Sequence, residues 1–208
     1  MGVLNKENPM DFQLPLAPLM TFAFVSSITP GPNNIMLASS GIWFGFRRSI
    51  PHMLGITIGF GVLLAICAAG IGTLVMAVPA MQTLLKVAGS AYLLYLAWQM
   101  RAMNFDREAE QSHQPMGFLG AAIFQFANPK AWIMAITGGS AFLPQMAPVP
   151  LAIAVYCLVF CAVNLPCISL WAGAGALLRR FLAYPIWQKV FCFTMIALTA
   201  YSALAIWL

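Results

Sequence analysis

Acidic residues are nearly missing from this chain. Five Asp and Glu stand against ten Lys and Arg in 208 residues, and charged residues of both signs make up 7%. Soluble domains carry roughly 25%, so a water-facing surface of the ordinary kind is excluded. With 62% hydrophobic residues and a mean hydropathy of +0.86, disorder is excluded too, because low hydrophobicity is its signature. The charge is absent in long blocks. No Asp, Glu, Lys or Arg falls between Phe12 and Phe46, Ser49 and Leu85, Ala131 and Leu178, or Val190 and Leu208. A helix crosses a bilayer with about 20 mostly apolar residues. The chain therefore reads as an all-α membrane protein with several spans.

Other absences remove whole classes of chemistry. The five cysteines (Cys67, Cys157, Cys161, Cys167, Cys192) all lie in apolar stretches and form no C-x-x-C pair, so they read as small buried hydrophobes. No Asp or Glu lies inside a span, and His52 sits at the inner end of the second. That leaves no metal site and no paired acid, His or activated Ser for an intramembrane hydrolase. A net charge of +5 would suggest nucleic acid in a soluble protein. Here the basic residues fall in short connections and are topology signals, so neither nucleic acid nor a cofactor is called for. The N-terminus is a poor signal peptide. Lys6 is offset by Glu7 and Asp11, prolines stand at 9, 15 and 18, and no small-residue cleavage site follows. The first apolar segment is expected to remain as a span.

What is present is six apolar segments, at about 14–46, 51–77, 80–100, 117–143, 150–178 and 186–207. Many are bounded by proline, which suits helix starts and loops. The stretch 101–116 is the one clearly polar loop. Arg47 and Arg48, Arg101 and Arg107, and Arg179, Arg180 and Lys189 follow the first, third and fifth segments. The positive-inside rule then places both termini outside. Trp43, Trp98, Trp187 and Trp207 lie near span ends, where an interfacial aromatic belt belongs.

Two segments are interrupted. As one helix, 14–46 would run about 50 Å at 1.5 Å per residue, against a bilayer core of about 30 Å. Its centre reads Thr29-Pro30-Gly31-Pro32-Asn33-Asn34. The fourth segment carries Asn128-Pro129-Lys130 at its centre, with Gln125 just before. Ser27-Ile28-Thr29-Pro30 aligns with Phe126-Ala127-Asn128-Pro129, and Lys86-Val87 with Lys189-Val190. This divides the chain into repeats of three spans, about 12–100 and 117–208. An odd number of spans makes the repeat inverted. Paired broken segments in the two halves point to a transporter's substrate site.

The start of a resumed helix offers free N–H groups to an anion such as a carboxylate. Asn33, Asn34 and the backbone after Pro32 and Pro129 are placed for this. Lys130, the one charge near the middle of a span, reads as a counter-ion to a substrate carboxylate, because a lone ammonium there costs at least about 2.5 kcal/mol. Lys86, near the outer start of its span, reads as a snorkelling side chain. Without acids in the spans, a zwitterionic neutral amino acid fits better than a cation. Its ammonium would be held by carbonyls and by Thr29, Gln125, Asn128 and Asn164. Asn164 precedes Pro166, so it marks either a third irregularity at the same cavity or an interhelical hydrogen bond. The runs Gly55-x-x-x-Gly59-x-Gly61 and Gly173-x-Gly175 permit close helix approach, within one copy or in a homodimer.

At these residues the sequence resembles the LysE/RhtB family of amino-acid exporters over nearly its whole length. The resemblance rests on Thr29-Pro30-Gly31-Pro32-Asn33-Asn34, Gly41, Gly45-Phe46-Arg47, Gly55 and Gly59. It continues with Gly89-Ser90-Ala91-Tyr92-Leu93 and Phe126-Ala127-Asn128-Pro129-Lys130-Ala131. Asn33-Asn34-Ile35 and Phe142-Leu143-Pro144-Gln145 look closest to the cysteine and O-acetylserine exporter subgroup. The resemblance implies a secondary transporter, not an enzyme, in the bacterial inner membrane. It would export amino acids or derivatives such as cysteine, O-acetylserine, homoserine or threonine, driven by the proton gradient. No intramembrane acid carries that proton, which leaves Lys130 or the substrate's amine. Two rivals stand beside this reading. A metal-cation exporter would need acids or His in the spans. A thiol or electron-transfer protein would need a partner cysteine in span 1 for Leu165-Pro166-Cys167, and span 1 has none.

Overall fold

The computed structural model describes residues 15–72, 77–101, 114–143, 149–179, 181, 184–205 and 207. Among them are eight α-helices and no strand. They are α1 (Leu16–Ile28), α2 (Pro32–Arg48), α3 (Ile50–Ile66), α4 (Pro79–Arg101), α5 (Phe118–Ala127), α6 (Pro129–Phe142), α7 (Val149–Leu178) and α8 (Pro185–Ala205). Most of the polar loop, the charges of the N-terminus, Arg180 and the Pro144-Gln145 pair lie outside the described residues.

Proline sets most of the helix starts. It is the first residue of α2, α4, α6 and α8 and the second of α3 and α7. Its missing N–H is not needed there, and its fixed φ suits the first turn. Gly45 at φ +77 turns the end of α2 toward the exposed Arg47 and Arg48. That left-handed conformation favours glycine. A π-helical turn, Cys67–Ile71, continues α3.

The helices fall on the six apolar segments, with the first and fourth each divided into two half-helices. Ile50–Ile71 and Val149–Leu178 are each long and apolar enough to cross a membrane. The 13 residues of α1 and 10 of α5 span only about 20 and 15 Å at 1.5 Å per residue. Each is therefore too short to cross a bilayer core by itself. The outer faces are apolar, with Leu119, Leu158, Leu170 and Phe193 each well over half exposed. A water-soluble monomer rarely shows continuous apolar surface on this scale; lipid is the solvent that matches it.

Small residues bring the backbones together. A Cβ on Gly41 would overlap the Ala172 carbonyl, and one on Gly175 would overlap the Ala38 carbonyl, so α2 and α7 meet main chain to main chain. Gly55 and Gly59 of α3 meet Phe118 and Ala122 of α5 in the same way. These glycines are thus used inside the chain, where packing must replace a hydrophobic drive that lipid does not supply. Phe22, Phe60, Tyr156 and Phe160 join α1, α3 and α7 through edge-on ring contacts of 5.4–5.9 Å. The pair α4 and α8 is pinned where Trp207 Nε1 donates to Ser90 Oγ at 2.8 Å. Lys86 lies 5.8 Å from the Trp207 ring centre.

Gly41→Val and Gly59→Val are expected to lower the melting temperature of the detergent-purified protein, because overpacking costs about 1–3 kcal/mol. Gly173→Ala, whose Cβ would meet only Phe46 at 3.9 Å, is expected to leave it unchanged in the same measurement.

Candidate functional site

Both interruptions arise from proline and the residue before it. Proline cannot bond back to the preceding turn, and it pushes its predecessor into extended conformation. Thr29 (φ −64, ψ 143) and Gly31 (φ −177, ψ 178) are extended beside Pro30 and Pro32. Asn128 (φ −89, ψ 107) is extended before Pro129. The two breaks lie in contact, joined through Lys130.

The end of α1 leaves carbonyls without helical partners, and side chains meet them one by one. Thr29 Oγ1 donates to Ser26 O at 3.0 Å. Asn34 Nδ2 donates to Ser27 O at 2.9 Å and Thr29 O at 2.8 Å. Trp171 Nε1, from α7, donates to Ile28 O at 3.1 Å. Lys130, from the other break, donates through Nζ to Thr29 O at 2.7 Å, Thr29 Oγ1 at 2.9 Å and Pro30 O at 3.1 Å. An ammonium has three hydrogens, and all three have acceptors. The dipole adds to this, since a helix C-terminus is partially negative.

The second break is capped from its own residues. Asn128 accepts the Lys130 backbone N–H on its side chain at 3.1 Å, and Trp132 Nε1 donates to Phe126 O at 2.9 Å. A second tie joins the halves. Asn33 Nδ2 donates to Gln125 Oε1 at 2.8 Å, and Gln125 Nε2 returns a bond to Asn33 Oδ1 at 3.1 Å. By contrast, the start of α2 has no side-chain cap; its N-cap is Gly31. A Cβ at Gly31 would meet the Lys130 stem, 2.7 Å from Cδ, so a larger residue there would shift that side chain.

Gly31, Pro32, Asn33, Asn34, Asn128, Lys130 and Asn164 line one depression. It holds about 320 Å³ when the open solvent at its mouth is counted in. The other four expected residues are not part of its lining. Thr29 and Pro30 hold the Lys130 ammonium. Gln125 is wholly buried behind Asn33, and Pro129 seats against Gly89 of α4. The structure gives each of these polar groups a partner within the chain. The amides of Asn33, Asn34, Gln125 and Asn128 bond to each other and to the breaks. The Lys130 ammonium rests on carbonyls of the first break. And α7 runs unbroken through Pro166, so Asn164 reaches the depression from a continuous helix, its Nδ2 donating to Ser27 Oγ at 3.0 Å.

Ser26, Ser27, Phe60, Met134 and Ile168 also line the depression and were not anticipated, nor was Trp171. The serines directly precede the first break, which is a usable signal. Met134 follows the second break on α6, while Phe60, Ile168 and Trp171 come from α3 and α7 and carry no local mark.

Breaking the Asn33–Gln125 pair tests the second tie. A double-mutant cycle with Asn33→Ala and Gln125→Ala, read by thermal stability, is expected to show coupling of about 0.6 kcal/mol, and at most ~1.7, as for other membrane hydrogen bonds.

A family model described as LysE type translocator matches residues 24–205. A cysteine/O-acetylserine efflux protein of Klebsiella pneumoniae subsp. pneumoniae is 34% identical over 81% of this chain and 86% of its own. Proteins of the same description from Salmonella choleraesuis and Escherichia coli O1:K1 / APEC are 34% and 32% identical, each over 79% of this chain and 84% of theirs. No solved structure matches the chain. A match over nearly the whole length, covering both breaks, means that the chain belongs to the LysE family of translocators.

Proposed function

We propose that this translocator exports small neutral amino acids or their derivatives, of the class of cysteine, O-acetylserine, homoserine and threonine, across the bacterial inner membrane. The relatives described as cysteine/O-acetylserine efflux proteins support the substrate class. The observation that carries the proposal is the uncapped start of α2, opening on a depression beside the Lys130 ammonium. Helix-start N–H groups and a cation together suit a carboxylate.

On this reading Lys130 works in two positions. Without substrate it closes one half of the molecule onto the other through the carbonyls of Thr29 and Pro30. A carboxylate arriving at the start of α2 offers it a charge-assisted bond, stronger than one to a neutral carbonyl. The ammonium then leaves the carbonyls and the tie between the breaks loosens. Alternating access follows as the halves rock about the site. The proton gradient drives the cycle, with Lys130 or the substrate amine as the proton carrier.

The proposal includes six spans in two inverted repeats, 12–100 and 117–208, with both termini periplasmic. The matching breaks support it. So does the packing: α1 lies against α7 and α3 against α5, and these two pairs exchange when the repeats are swapped.

Efflux from cells preloaded with labelled amino acids tests the function. Lys130→Gln is expected to slow efflux at least about tenfold, since a hydrogen bond to a charged group is worth roughly 1.5–3 kcal/mol. Equal efflux by both proteins would remove Lys130 from the mechanism, and no efflux by the wild type would remove the function. Replacing all five cysteines is expected to leave efflux intact in the same assay; complete loss in correctly inserted protein would revive thiol chemistry.

A further inference from the structure

Asn164 is 5% exposed, and its Oδ1 has no hydrogen-bond partner. It lies in α7, on the wall of the depression that also exposes the start of α2. Its other atom is fixed, because Nδ2 donates to Ser27 Oγ. The amide is therefore held with its acceptor unused. A buried acceptor without a donor is costly, and one that persists calls for an explanation, of which a water, an ion or a ligand is one. Two strong donors of the same wall are already committed: the three hydrogens of Lys130 Nζ to Thr29 and Pro30, and both of Asn34 Nδ2 to Ser27 and Thr29.

The missing partner is a donor, and it shares the depression with a helix start that takes an anion. An α-amino acid has both groups on one carbon. The geometry points to Asn164 Oδ1 as the acceptor for the substrate's α-ammonium, so that the site selects a free amine beside a carboxylate. This rests on the exporter reading above and specifies its site. Ser27 is the positioning residue, because it fixes the amide from behind. The rest of the wall includes Phe60, Met134 and Ile168, which suits a small uncharged side chain. N-acylated amino acids and 2-hydroxy acids keep the carboxylate but lose the ammonium, and are excluded on this basis.

The test uses the full-length protein in proteoliposomes, with labelled cysteine as the transported probe. The competitors are O-acetylserine and its isomer N-acetylserine, which has the same atoms with the amine acylated. Wild type is expected to favour O-acetylserine at least about tenfold, the scale of one charge-assisted bond. Asn164→Leu, of similar volume, is expected to weaken O-acetylserine without weakening N-acetylserine, so that the ratio collapses toward one. Asn164→Asp keeps an acceptor and is expected to retain the preference; it decides the question if the Leu protein does not insert. An unchanged ratio in inserted Asn164→Leu, equal weakening of both ligands, or loss of the preference in Asn164→Asp would each overturn the assignment. Any of these with cysteine transport intact leaves the exporter reading standing. A wild type that moves no amino acid removes that reading, and this one with it.

Discussion

A helix that stops among apolar helices leaves carbonyls without helical partners, and a buried one left unsatisfied is costly. Much of this molecule is arranged around that constraint at the end of α1. Asn34 reaches back from the next helix, Trp171 comes across from α7, and Lys130 comes from the opposite break. The same bonds that make the break tolerable therefore also fix α2, α6 and α7 relative to α1. The interruption holds the helices around it together.

The satisfaction is one-sided. Carbonyls from Ser26 to Pro30 have side-chain donors, whereas the start of α2 has only a glycine cap. The second break, one residue long, closes with its own Asn128 and Trp132. The two breaks look alike in sequence but are not equivalent in chemistry. The first presents the open helix start, and the second supplies the cation. A tie built from a lysine and neutral carbonyls is also reversible, because a carboxylate is a better partner for an ammonium. A Lys–Asp pair in the same place would be much harder to part inside a membrane.

Close backbone contact is what makes these reaches possible. Trp171 meets Ile28 because α7 lies against α2 at Gly41 and Gly175, and the second break is seated by Gly89 against Pro129. A larger side chain at any of these positions would hold the helices apart by more than a hydrogen bond tolerates. Glycine in the spans and polar side chains at the breaks serve one geometry.

Much of this was legible in the residues themselves. Long charge-free blocks, proline-marked boundaries and the Pro30-Gly31-Pro32 and Asn128-Pro129-Lys130 interruptions are local, and they determined the helices, the breaks and several residues that line the depression. The physics behind them is also local, since proline acts on its own φ, its own missing N–H and its immediate neighbour. Partnership was not legible. Lys130 had been expected to wait for a carboxylate, and it holds the carbonyls of the other break. Asn33 and Gln125 bond to each other across 92 positions of chain. Asn164 reaches the site from an unbroken helix. Which donor finds which acceptor depends on how helices far apart in sequence cross, and no periodicity within one segment encodes that. The sequence by itself determined where the polar groups had to be; only the tertiary structure decided which were satisfied and which, as at Asn164, were left open.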